Sequence, residues 1–136
     1  VIDMAYVQRK VPFVGTPDTN PETKPFFDGA AAGKLVLPRC KDTGKFIWYP
    51  RAISPFTFGA VEWVEVSGKG TIYTFSVMQR ADPPYAIAYV ELAEGPRMMT
   101  NIVDCDFATL KIGQQVKLKF IQTEGGGPQL PFFAPA

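Results

Sequence analysis

There is no histidine anywhere in these 136 residues, and cysteine occurs only twice, at Cys40 and Cys105. The first absence removes the commonest general base, the usual partner of a nucleophilic serine or cysteine, and the most frequent metal ligand. The second rules out a four-thiolate metal site and allows at most one disulfide. Two free thiols are expected rather than a cross-linked secreted scaffold. No uncharged apolar run approaches the ~18 residues that a membrane-spanning helix needs. The opening Val-Ile-Asp-Met carries no basic stretch ahead of an apolar one, so no signal peptide is expected, and a cytoplasmic location follows as the expectation. Charge excess is missing too: 14 Lys and Arg face 13 Asp and Glu, which leaves no global field for nucleic acid or anionic lipid. What is present is ordinary globular material, 46% apolar and 20% charged, at a length suited to one domain with a small appendage.

Prolines and glycines divide the chain. Residues 1–33 read as an extended arm, suited to lie on a partner, and a short helix over 23–32. Thr23 is the expected cap, Pro25 sits early where a missing N–H does no harm, and Gly33 stops the helix. Gly29 in its middle weakens it by about 1 kcal/mol relative to alanine, so it needs a surface to pack on. Residues 34–59 offer two short strands, 35–40 and 45–49, around a Lys41-Asp42-Thr43-Gly44 turn, then a turn-rich stretch over 50–59. From residue 60 the strands lengthen. Residues 61–66 run into 70–79 as one strand bent at Gly68 and Gly70, with Tyr73, Phe75 and Val77 on one face. Strands 85–92 and 97–103 follow, then a helical turn 107–111 capped by Asp106. Strand 115–121 alternates Val116, Leu118 and Phe120 with Lys117 and Lys119, and 130–133 supplies a closing edge strand. That order matches a five-stranded Greek-key OB barrel.

Two tetrads carry candidate chemistry. Cys40-Lys-Asp-Thr43 has the spacing of a zinc knuckle with its second ligand replaced, and Ser54-Pro-Phe-Thr57 has the same spacing with both replaced. Zinc takes soft, anionic thiolates, and neutral hydroxyls are poor substitutes. Taken alone, the two tetrads read more readily as unrelated turns.

Longer blocks decide between these readings. Pro25-Phe-Phe, Gly33-Lys-Leu-Val-Leu-Pro-Arg-Cys40, Trp63-Val-Glu-Val-Ser-Gly-Lys-Gly-Thr-Ile-Tyr-Thr-Phe75, Pro84-Tyr-Ala-Ile-Ala-Tyr-Val-Glu-Leu-Ala-Glu-Gly-Pro96, Leu110-Lys-Ile-Gly and Leu130-Pro-Phe-Phe-Ala-Pro together resemble the zinc-ribbon/OB-fold acyl-CoA-associated family, domain of unknown function 35. The resemblance covers the chain from about residue 20. It implies a mostly β fold with three parts. An arm and short helix span 1–33, a rubredoxin-like ribbon spans 34–59, and a five-stranded OB-fold barrel with a C-terminal tail spans 60–136. It also implies a non-catalytic accessory subunit of a thiolase-superfamily complex, whose partner is a condensing enzyme, acyltransferase or aldolase acting on acyl-CoA. Cys40 matches the family's first zinc ligand, but Thr43, Ser54 and Thr57 stand at the other three positions, so a metal-free ribbon is expected here. Phe46, Ile47, Trp48, Tyr49, Phe56 and Phe58 are expected to pack as its core, at roughly 1.5–3 kcal/mol per buried side chain.

The ribbon is also locally basic. Lys34, Arg39, Lys41, Lys45 and Arg51 face only Asp42. Arg39, Lys41, Lys45 and Arg51 form a candidate lip for the phosphates of coenzyme A, since Arg and Lys bind phosphate by charge-assisted hydrogen bonds; a solvated hairpin is the plainer alternative. No cofactor is expected beyond acyl-CoA shared with the partner. Cys105 lies between Asp104 and Asp106, which raise rather than lower a thiol pKa, and Glu91 and Glu94 make no convincing acid–base pair. No standalone catalytic constellation is visible. A second reading, a single-stranded nucleic-acid-binding OB module, would use Tyr73, Phe75, Tyr85 and Tyr89 as stacking surfaces but lacks a basic groove. Finally, the arm (Val7, Val11, Phe13, Val14) and tail (Leu130, Phe132, Phe133) are expected to expose apolar surface to a partner.

Overall fold

A computed structural model describes residues 9–12 and 20–136. Helix α1 spans Lys24–Ala31. Thr23 precedes it but its side chain does not cap it. Asn20 takes that part instead, its side-chain carbonyl accepting from the amides of Glu22 (2.9 Å) and Thr23 (3.1 Å). Gly29 has a packing reason for interrupting a helix: a Cβ there would lie 2.7 Å from Val36 Cγ2. The helix therefore presses its backbone against strand β1, Val36–Cys40.

Strand β1 pairs antiparallel with β2, Val61–Glu65, in a two-stranded sheet. The two knuckles lie between them. The expected strand at 45–49 does not form; only Phe46 bridges back to Arg39. Beyond Ile47 the chain leaves β1, and Trp48 packs its ring 5.8 Å from that of Phe26 in the helix.

The single bent strand expected over 61–79 is two strands in different sheets. β2 stays with the ribbon, and β3, Lys69–Met78, begins the barrel. Gly68 makes the crossing at φ +77, where a Cβ would meet Leu118 at 2.8 Å. The barrel's bulge lies further on, at a register shift between Ile72 and Thr74. It turns Tyr73 out to solvent, away from the half-buried Phe75 and Val77.

Strands β4 (Tyr85–Leu92), β5 (Arg97–Ile102), β6 (Gln115–Gln122) and β7 (Gln129–Pro135) complete a closed barrel in the order β3-β4-β5-β7-β6. A short 3₁₀ turn, Phe107–Thr109, separates β5 from β6, and the Asp106 side chain accepts from its Ala108 amide. β7 is not an edge: it pairs antiparallel with β6 and parallel with β5, and Phe133 is 0% exposed. The tail thus closes the barrel rather than reaching out. Of the arm residues, Val11 is buried and accepts at its carbonyl from the Glu124 amide (2.9 Å), while Val7, Phe13 and Val14 lie outside the described residues.

One apolar cluster joins all parts. Phe26 of the helix and Leu35 and Leu37 of the ribbon pack with Ile72, Val90, Met98, Ile102, Val116 and Phe133 of the barrel. The ribbon is therefore held at a fixed angle to the barrel by shared core, which fixes the grooves between them. Among the described residues, no helix is long and apolar enough to cross a membrane.

Candidate functional site

The two knuckles repeat each other bond for bond. Cys40 N–H donates to Lys45 O (2.8 Å) and Ser54 N–H donates to Gly59 O (2.9 Å). Gly44 N–H donates to Cys40 O (2.8 Å), and Phe58 N–H donates to Ser54 O (2.9 Å). Gly44 and Phe58 then occupy the left-handed region at φ 73 and 60. An antiparallel bridge flanks each turn, Arg39 to Phe46 and Ile53 to Ala60. Lys41 N–H donates to Ala60 O (3.1 Å) and clasps the two together. The tetrads are a paired structure, not unrelated turns.

Between the knuckles lies Cys40, fully enclosed. Its Sγ is 3.7 Å from Thr57 Oγ1. The Thr57 hydroxyl has one proton, which it gives to Asp42 Oδ2 at 2.7 Å, and its oxygen accepts from the Gly59 amide at 3.2 Å. Ser54 Oγ accepts from the amides of Phe56 (3.1 Å) and Thr57 (3.4 Å). Hydrogen bonds from Ser54 and Thr43 favour a Cys40 thiolate against the opposing effect of burial, and lower its pKa from 9.0 to about 6. Cys105 moves the other way: burial, then Asp106 and Asp104, push it up to about 11. Both thiols are free of disulfide.

The aromatic run does not form the expected core. Ile47 is buried and Phe46 and Trp48 are half-buried, but Tyr49, Phe56 and Phe58 are 61%, 50% and 85% exposed. The ribbon is too thin for six large side chains, so the later ones line grooves or face solvent.

Two such grooves, each about 420 Å³, meet at Trp48. One is apolar, walled by Phe26, Phe27, Met98, Met99 and Phe132, with Arg9 lying over the Tyr85 ring at 3.9 Å. The other runs between ribbon and barrel, lined by Phe46, Tyr49, Phe56, Arg51 and Arg97. Trp48 is common to both, and its Nε1–H is enclosed without a hydrogen-bond partner.

The four basic residues expected as a phosphate lip are thus distributed. Arg51 lines the second groove. Lys45 is exposed with its Nζ 5.3 Å from the Phe56 ring, and Lys41 is exposed at the knuckle clasp. Arg39 is turned to Glu62, its Nε and Nη2 donating to Oε1 at 2.8 and 2.6 Å. Sequence reasoning missed Arg97. It lies 46 positions from Arg51 and reaches the same groove only because the ribbon packs on the barrel. It stacks over Tyr73 at 3.9 Å and donates to Glu91 Oε2 at 3.3 Å. Of the proposed stacking residues, Tyr85 lines the apolar groove and Tyr89 is exposed. Among the described residues, no group of three or more His, Cys, Asp and Glu gathers into a metal site.

Residues 27–53 match the family described as the ChsH2 rubredoxin-like zinc ribbon domain, and residues 63–120 the ChsH2 C-terminal OB-fold domain. A DUF35 domain-containing scaffold protein of Methanocaldococcus jannaschii is 38% identical over 101 residues, covering 68% of this chain and 72% of that one. The chain belongs to the DUF35 family. A solved DUF35 chain of the Ltp2-ChsH2(DUF35) aldolase aligns at TM-score 0.76 and 29% identity, covering 88% of this chain and 98% of that one. The 3-oxo-4,17-pregnadiene-20-carboxyl-CoA hydratase alpha subunit of Mycobacterium tuberculosis is 28% identical over 77% of this DUF35 chain, which spans 35% of that subunit.

The ribbon family is defined by zinc, and the donors here do not fit it. One thiol and three neutral hydroxyls replace four thiolates, and two of the hydroxyls are engaged elsewhere.

Proposed function

We propose that this chain is a non-catalytic accessory subunit of a thiolase-superfamily enzyme complex, assisting its assembly and helping to hold acyl-CoA while the partner performs the chemistry. The observation that carries this reading is the pair of grooves meeting at Trp48. Their chemistry suits the two ends of a coenzyme A thioester. The apolar groove takes an acyl or pantetheine chain. The second offers aromatic faces to an adenine and the Arg51 guanidinium to phosphates, with Lys45 beside Phe56 and Arg97, which would have to share its guanidinium with Glu91, on the same wall. The unpartnered indole N–H of Trp48, whose side chain lines both grooves, costs about 1–3 kcal/mol, which a turn of the ring toward a ligand amide carbonyl would relieve. Nucleophile and general base are lacking among the described residues: the carboxylates are scattered, Cys40 is enclosed, and Cys105 is held protonated.

The names of the relatives support the same reading. One is a scaffold protein, one an aldolase carrying a DUF35 chain, and one a subunit of a CoA-thioester hydratase. Fluorescence of Trp48 in a Trp63→Phe background tests the binding half. Acyl-CoA should change the emission saturably, a pantetheine thioester more weakly, and free adenosine least. No change with acyl-CoA at any concentration up to the millimolar range would remove the grooves from the account.

A further inference from the structure

The disagreement between the ribbon fold and its donor set raises a structural question: what holds the knuckles where the family has a metal. Three of the six large side chains that could have done so are at least half exposed. We propose that the hydrogen bond from Thr57 to Asp42, set beside the enclosed Cys40 and Ser54, takes the metal's structural place over a backbone that keeps the paired-knuckle form.

Three observations support the retained geometry. The knuckles repeat the same amide-to-carbonyl pattern, the same left-handed residue and the same flanking bridge, although Thr43, Ser54 and Thr57 stand at three of the four ligand positions. The Cys40 Sγ to Thr57 Oγ1 separation of 3.7 Å is close to the roughly 3.8 Å between two sulfurs bound to one tetrahedral zinc at about 2.3 Å each. Ser54, at the position matching Cys40 in the second knuckle, is likewise 0% exposed.

Asp42 is the addition that makes hydroxyls sufficient. Its carboxylate fixes the Thr57 hydroxyl at 2.7 Å, and Thr57 in turn receives the Gly59 amide, so a residue of the first knuckle orients the second. Gly59 is what admits the carboxylate, since a Cβ at that position would overlap Asp42 Oδ2. A zinc-bound knuckle needs no such cross-link, because the ion itself joins the two turns.

The test uses two kinds of variant in the full chain. In the first, Thr57→Val and Asp42→Ala should each lower the thermal midpoint by about 3–6 °C. The double variant should fall no further than the worse single one, because the two side chains act through one bond. Wild type should keep its midpoint in excess EDTA. In the second, Thr43→Cys/Ser54→Cys/Thr57→Cys should bind one equivalent of zinc, give the ligand-field absorption of a tetrahedral thiolate site with cobalt, and become chelator-sensitive. In that zinc-loaded variant Asp42→Ala should no longer matter. The proposal is overturned if wild type retains one equivalent of zinc through chelation, or if the two single substitutions are additive or silent. A triple-cysteine chain that folds but takes up neither metal would also overturn it. Should the triple variant fail to fold, the Thr57–Asp42 cycle alone decides.

Discussion

Replacing Arg51 with alanine isolates the phosphate end of the proposed acyl-CoA site. Arg51 is exposed on the wall of the aromatic groove, and none of the ion pairs among the described residues engages it. A charge-assisted hydrogen bond contributes about 1.5–3 kcal/mol, and solvent at an open groove screens this toward about 1–2 kcal/mol. At 1.4 kcal/mol per factor of ten, Arg51→Ala should raise the dissociation constant for acyl-CoA roughly five- to thirtyfold. In a complex with its enzyme, KM should rise by a similar factor while kcat holds, because phosphate contacts far from the thioester are equally good in ground and transition states. The loss should be absent with a pantetheine thioester, which has no nucleotide, and smaller at high salt. Arg39→Ala serves as the control. Its guanidinium is already turned to Glu62, so its removal should change binding less than about twofold and cost the ribbon at most about 1 kcal/mol. Titration calorimetry with both ligands measures all of this. If Arg51→Ala binds acyl-CoA like wild type, or weakens both ligands equally, the groove does not hold the nucleotide.

Three further outcomes follow from individual residues. Gly29→Ala should lower stability by about 1–3 kcal/mol in a urea melt despite alanine's better helix propensity, because its Cβ would lie 2.7 Å from Val36 Cγ2. Phe58→Gly should raise the thermal midpoint, since an 85%-exposed phenylalanine at φ 60 carries about 1–2 kcal/mol of backbone strain that glycine lacks; a lower midpoint would mean that the ring packs after all. Cys105, pushed up from 9.0 to about 11, should alkylate at pH 8 about a hundredfold more slowly than an unperturbed thiol and speed up nearly tenfold per pH unit up to about pH 10, as followed by mass spectrometry.

Much of this molecule is legible in the amino-acid order because local physics and tertiary context agree over most of it. The alternation in β4 and β6, the Asp106 cap and the paired spacing of the two tetrads each carry their meaning within a few residues. The failures share a cause. The strand break at Gly68 depends on Leu118, fifty residues later, and the outward turn of Tyr73 depends on register with β4. Residues 129–135 look like an edge until β5 and β6 are seen to flank them. The exposure of Phe56 and Phe58 could not be anticipated either, since composition records six large side chains but not the thickness of the layer meant to cover them. Arg97 was invisible for the same reason: nothing local links it to Arg51, and only the shared core of Phe26, Leu35 and Leu37 with the barrel brings the two arginines to one groove.

The central proposal is that this chain binds and positions while a partner performs the chemistry, and co-expression with a thiolase-superfamily enzyme tests that most directly. Chain, enzyme and mixture are compared by size-exclusion chromatography and by turnover of one acyl-CoA. The account predicts a stable complex, no turnover by the chain alone, and a lower KM for the mixture than for the enzyme alone. Turnover by the isolated chain, or separate elution with kinetics indistinguishable from the enzyme alone, would contradict it.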